Sequence, residues 1–210
     1  MLQTVELFWF AMATLVMVLT PGPNMIYCVS RTLCQGRSAG LVSLAGVQLG
    51  LVVHIITAAA GLTALLLAVP FAFNAIKIAG AAYLLWLAWQ AVKPGGRSAF
   101  ETRDLPIATN ATLFRMGLIT NLLNPKVAMF YLSIFPQFLH PERGSVLWQS
   151  LQLGVVQIAV SASVNAMIIF AAAGITYFLQ HRPLWASVQR YVMGSVLALL
   201  ALRIATTEKA

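Results

Sequence analysis

Long uncharged stretches alternate with short charged ones along this chain. Residues 7–30 carry no formal charge over 24 positions, enough for one helix across a bilayer. Residues 39–76 continue uncharged for 38 positions, and Pro70 divides them into spans near 40–68 and 71–92. A third stretch, 144–180, reads as one long tilted helix near 147–179, with two short spans as the alternative. Between these lie 113–138, interrupted by Arg115 and Lys126, and 184–204, whose Arg190 and Arg203 snorkel to the interfaces. Counting 6–29 as the first, the pattern predicts an all-α membrane protein: six spans in one domain, 1–210, with a connector at 93–112. The stretches are continuous, unlike the alternating blocks of about 10 residues in a β-barrel strand.

Composition agrees. Of the 210 residues 60% are apolar and 9% charged, whereas a soluble domain is about 25% charged. A soluble enzyme, nucleic-acid module or disordered tail is therefore a poor reading. The net charge of +8 suits either nucleic acid or a membrane protein with positive cytoplasmic loops. The positions decide for the second. Arg31, Arg37, Lys93, Arg97, Arg103, Arg115, Arg182 and Arg190 fall on one side of a six-span chain. Arg143, Arg203 and Lys209 fall on the other, so both termini are expected outside the cytoplasm. The first span lacks a Lys or Arg before Arg31, unlike a cleaved signal peptide. An aromatic belt is expected at the span ends, from Phe8, Trp9 and Phe10 to Trp86, Trp89, Trp148, Trp185 and Tyr191. Cys28 and Cys34, flanking the first cytoplasmic loop, read as free thiols.

Three polar features are costly in hydrocarbon. Thr20-Pro21-Gly22-Pro23-Asn24 breaks span 1 in its cytoplasmic half, and its prolines deprive the carbonyls of Met17 and Leu19 of helical partners. Asn121-Leu122-Leu123-Asn124-Pro125-Lys126 breaks span 4 and places an ammonium deep in the membrane. A charge at a helix centre costs about 3 kcal/mol on insertion scales and marks a functional site by default. Each break lies in the first helix of a three-span half, which predicts a 3+3 inverted repeat with broken helices 1 and 4. The bland reading is two proline kinks with structural asparagines; Asn and Lys beside the prolines favour a binding site.

The third feature is polar striping. Gly46, Gly50 and His54 share one face of span 2, with Ala58 next along, and close packing there would turn His54 inward. Gly154, Gln157, Ser161 and Asn165 share a face of span 5, and Lys77 with Gly80 a face of span 3. His54 titrates near neutral pH and suits either proton transfer or a helix–helix hydrogen bond.

Taken together, these residues resemble the LysE/RhtB family of bacterial amino-acid exporters over essentially the whole chain. The resemblance rests on Pro21-Gly22-Pro23-Asn24, Gly46…Gly50…His54, Gly80-Ala81-Ala82-Tyr83-Leu84, Asn124-Pro125-Lys126 and Phe135-Pro136-Gln137-Phe138. It implies a secondary exporter in the bacterial inner membrane, driven by the proton motive force. One departure matters: many relatives carry an acidic residue inside span 2 or 5, and this chain has none. Gln157, Ser161 and Asn165 stand there instead, which makes a cationic substrate less suitable than a neutral one such as threonine, homoserine or leucine. Glu6, at the outer end of span 1, reads as an interfacial residue.

The expected substrate site comprises Pro21, Gly22, Pro23, Asn24, Asn121, Asn124, Pro125 and Lys126. His54, Gln157, Ser161 and Asn165 are expected to line the cavity or couple protons. Carbonyls of Met17, Leu19 and Asn121 would take a substrate ammonium; the half-helices starting at Pro23 and Pro125, with Lys126, would take its carboxylate. No catalytic constellation is present, since His140 and His181 lie in loops and no acidic pair sits within a span. No cofactor, metal or nucleic-acid partner is expected. The alternative is export of another small cation, metal or amine. The small-residue faces suit internal packing or a homodimer equally.

Overall fold

A computed structural model describes residues 2–68 and 105–181, together with single positions within 78–93 and 188–202. Apart from those single positions, the expected spans 71–92 and 184–204, with Lys77, lie outside the described residues. All regular structure among the described residues is helical. Among the described residues, six α-helices with defined bounds run in order: α1 (Thr4–Leu19), α2 (Pro23–Gln35), α3 (Arg37–Ala68), α4 (Asn110–Leu122), α5 (Pro125–Ser133) and α6 (Val146–His181). Short 3-10 turns at Phe135–Phe138 and Pro141–Arg143 join α5 to α6.

The two proline motifs break helices where local chemistry demands. Helix α1 ends at Leu19 because Pro21 and Pro23 supply no amide hydrogen to continue the ladder. Pro23 then opens α2 and Pro125 opens α5, each at a first-turn position where a missing N–H costs nothing. The α1–α2 pair bends by 55°, and α4 with the α5 segment by 45°. Parts of α3 (Arg37–Ala60) and α6 (Val146–Ile175) are each long and apolar enough to cross a membrane; each bent pair qualifies when taken as one span. These four units overlap residues 6–29, 40–68, 113–138 and 147–179, and the last of them is one continuous helix. Apolar side chains such as Val53, Ile56, Val155, Met167 and Phe170 are exposed, as a lipid-facing surface requires.

Several details differ from the sequence reading. Helix α2 continues to Gln35, so Arg31, Cys28 and Cys34 lie in a helix rather than in or beside a loop. The turn from α2 to α3 is the single residue Gly36, whose φ of 88° suits glycine. The first break consequently lies near the middle of its bent pair, not toward one end. Arg31 is buried because its guanidinium donates to the Pro106 carbonyl at 2.9 Å and to Gln35 Oε1 at 3.3 Å. Phe10 is fully buried rather than interfacial, its ring packed against Phe130, Phe135 and Phe138.

Helix α3 packs most extensively on α4. The contact is glycine-made: a Cβ at Gly46 would strike the Phe114 carbonyl, and one at Gly117 the Ser43 carbonyl. A Cβ at Gly50 would come within 2.6 Å of the Asn121 Cβ. The small-residue face of span 2 is thus an intramolecular contact.

Loop pairings define two ends of the bundle. At one end Glu6 lies 2.7 Å from Arg143 Nη1 and 2.9 Å from His140 Nε2. At the other, Gln35 exchanges two 3.0 Å hydrogen bonds with Ala108, beside the Arg31–Pro106 contact. The start of α1 therefore shares an end with the α5–α6 loop, and the end of α2 with residues 106–108.

Candidate substrate site

Helix α1 ends in carbonyl groups without helical partners, and α5 begins in amide groups in the same condition. The two ends meet around Lys126. Its Nζ donates to the Met17 carbonyl at 3.0 Å and the Thr20 carbonyl at 2.7 Å. The residue is 6% exposed, and no Asp or Glu occurs in 7–100 or 105–141 to neutralise it. Carbonyls at the negative end of α1 stabilise the buried cation instead. The Met17 carbonyl, expected to receive a substrate ammonium, here receives the Lys126 ammonium, and the second acceptor is the Thr20 carbonyl. Gly22 makes the approach feasible, since a Cβ there would lie 2.9 Å from Nζ.

Asn124 caps α5, its Oδ1 accepting from the Lys126 amide at 3.0 Å. Its own amide donates to the Asn121 carbonyl, also at 3.0 Å, the group that Pro125 deprives of a helical donor. That carbonyl also lies 3.4 Å from His54 Nε2, which donates when that nitrogen carries the proton. The His54 ring stacks on Tyr131, with centroids 5.4 Å apart and planes at 14°. The Tyr131 hydroxyl donates to Gln157 Oε1. A polar seam thus runs from the break in α1 through α5, α4 and α3 to α6.

The structure brings Pro21, Gly22, Asn124, Pro125 and Lys126 together at the facing breaks, with Asn121, His54 and Gln157 continuing from them. Ser161 and Asn165 stand farther along α6. They bond to each other, Asn165 Nδ2 donating to the Ser161 carbonyl at 2.8 Å, and Gln48 Nε2 donates to Ser161 Oγ at 3.1 Å. Buried polar atoms without a protein partner include both side-chain atoms of Asn121, Asn24 Oδ1, Asn124 Nδ2 and Gln157 Nε2. Buried polar groups are normally paired, so these amides provide unused donors and acceptors along the seam. Among the described residues, no three His, Cys, Asp or Glu side chains converge as a metal site would need.

The chain matches the model of the LysE type translocator family over residues 15–208. It belongs to the LysE type translocators. A homoserine/homoserine lactone efflux protein of Salmonella typhimurium is 35% identical over 155 residues, 73% of this chain and 74% of that protein. A leucine efflux protein of Salmonella choleraesuis is 27% identical over 206 residues, 96% of this chain and 95% of its own length. An uncharacterized membrane protein of Vibrio cholerae is 34% identical over 159 residues, 74% of this chain and 76% of that one. No solved structure matches the chain. The protein is a multi-pass membrane translocator.

Two seam residues of this LysE type translocator escape a reading of sequence. Tyr131 stands mid-span, where tyrosine is rarer than at interfaces, and that was its one available signal. Gln48 lies on α3 beside the Gly46–Gly50 stripe, and only the docking of α6 shows what it bonds.

Proposed function

We propose that this translocator is a secondary active exporter of neutral amino acids in the bacterial inner membrane, driven by the proton motive force. The names of its relatives direct the choice toward homoserine or leucine, and threonine is a neutral amino acid of similar size to homoserine. The observation that carries the reading is the meeting of α1's carbonyl end with α5's amide end around Lys126. A zwitterion needs partners of both signs within one site. Carbonyls at the end of α1 suit its ammonium; Lys126 and the α5 N-terminus suit its carboxylate. Asn24, Asn121 and Asn124 orient it through their unused amide atoms.

The 3+3 inverted repeat belongs to the same proposal, with the two breaks as corresponding elements of alternating access. So does the orientation with both termini outside. It is supported by Glu6 sharing an end with Arg143 while Arg31 shares the other with residues 106–108. With no carboxylate inside the spans, His54 is the group to carry the coupled proton, set between Asn121 and Tyr131.

Proteoliposomes loaded with labelled threonine, homoserine or leucine test this. At least one should leave faster with the protein present, and faster still when the outside is acid. Absence of flux for all three contradicts the proposal. His54→Gln should retain exchange without a gradient while losing the response to the pH difference.

A further inference from the structure

We propose that Lys126 acts as a tethered stand-in for the substrate's ammonium, and that transport exchanges one for the other. This rests on the amino-acid-exporter reading above. A lysine head group and an amino acid's α-ammonium are the same chemical group, each a cationic nitrogen with three donors. In this structure the lysine holds the acceptors that a substrate amine would use: the carbonyls of Met17 and Thr20, at 3.0 and 2.7 Å. The position is built for it, because Gly22 lacks the Cβ that would press on Nζ at 2.9 Å and on Cε at 3.1 Å.

The surroundings limit how the lysine leaves. It is buried, and the sequence supplies no acidic residue in 7–100 or 105–141, while Glu6 stands at the far end of α1 in its own pairing with Arg143. A buried ammonium that gives up its hydrogen bonds without a new partner is heavily penalised. The entering molecule must therefore bring both groups. Its ammonium takes the two carbonyls, and its carboxylate receives the displaced Lys126. Charge is conserved at each position, and no buried group is left unpaired. A primary amine without a carboxylate would strand the lysine, so the arrangement selects α-amino acids against simple amines. Lys126 is then a specificity-determining residue as well as a binding one.

Binding to the purified full-length protein tests the exchange, with threonine and leucine as zwitterions and threoninamide and leucinamide as amines of matching side chain. The wild type should bind an amino acid and reject its amide. In Lys126→Met the stand-in is gone, so amide affinity should rise, and amino-acid affinity fall, each by roughly tenfold, the worth of one charged hydrogen bond. Gly22→Ala should raise amide affinity in the same direction with the lysine still present, which keeps the test open should Lys126→Met fail to fold. A wild type that binds neither amino acid overturns the exporter reading. A wild type that binds one, with the amide still rejected by both variants, overturns the exchange alone.

Discussion

Lys126 donates to the Thr20 carbonyl at 2.7 Å across 106 residues of chain. That bond, with its companion to Met17, joins the two broken helices through the one group each most needs. Helix α1 ends in unpartnered carbonyls, and the lysine brings a cation that no Asp or Glu in 7–100 or 105–141 neutralises. Neither half of the contact is stable in hydrocarbon alone, and the pairing places a charged, hydrogen-bonding site in the interior of the bundle.

The glycine contact between α3 and α4 should be intolerant of any side chain. Gly46→Ala would push a methyl group into the Phe114 carbonyl, and overpacking of this kind costs about 1–3 kcal/mol. Gly174→Ala meets nothing within 4 Å and should leave stability unchanged or raise it by up to about 1 kcal/mol through helix propensity. Thermal unfolding of the two variants in detergent would separate them; equal melting temperatures would show that the close approach is unimportant.

The Tyr131–Gln157 bond predicts non-additivity. Tyr131→Phe leaves Gln157 with neither side-chain atom paired, since its Nε2 already has no protein partner. The expected loss is about 1–3 kcal/mol. Combining it with Gln157→Leu should restore part of that loss, giving a coupling of at least about 0.5 kcal/mol. Strictly additive unfolding energies would contradict the contact.

Arg31 and Gln35 strap the segment at 106–108 to the end of α2. Arg31→Leu removes the donor to the Pro106 carbonyl and should release the segment. Amide hydrogen exchange at Ile107 and Ala108 would accelerate while α6 keeps its protection. Unchanged exchange would mean that the strap is held by Gln35 alone.

Glu6 pairs with Arg143 and His140 at the end of the bundle where α1 starts, and partly exposed ion pairs contribute about 0.2–1 kcal/mol. Glu6→Gln should therefore lower stability by no more than that, and by less in high salt. Export driven by a pH difference should persist, because the coupled proton is assigned to His54. Loss of pH-driven export in Glu6→Gln would move that role to the cluster of Glu6, His140 and Arg143.

What was legible in the sequence follows the range of the physics. Proline removes a backbone donor at its own position, so both helix breaks could be placed from Pro21, Pro23 and Pro125 alone. Helical spacing likewise showed that Gly46, Gly50 and His54 share a face. That Lys126 itself bonds the Met17 and Thr20 carbonyls was not accessible, because it depends on how two distant helix ends meet. Arg31 was misplaced for the same reason. An arginine looks like a loop residue until a carbonyl such as that of Pro106 arrives to satisfy it. Tyr131 bonds to Gln157 from another helix, and no local pattern announces such a pairing.

The central claim is that the facing breaks, with Lys126 between them, form the substrate site. Exchange of labelled threonine, homoserine or leucine across proteoliposomes tests it most directly, comparing wild type with Lys126→Met at equal amounts of folded protein. The variant should exchange the transported amino acid at about one tenth of the wild-type rate or less, the loss expected from one charged hydrogen bond. Exchange at the wild-type rate would contradict the claim.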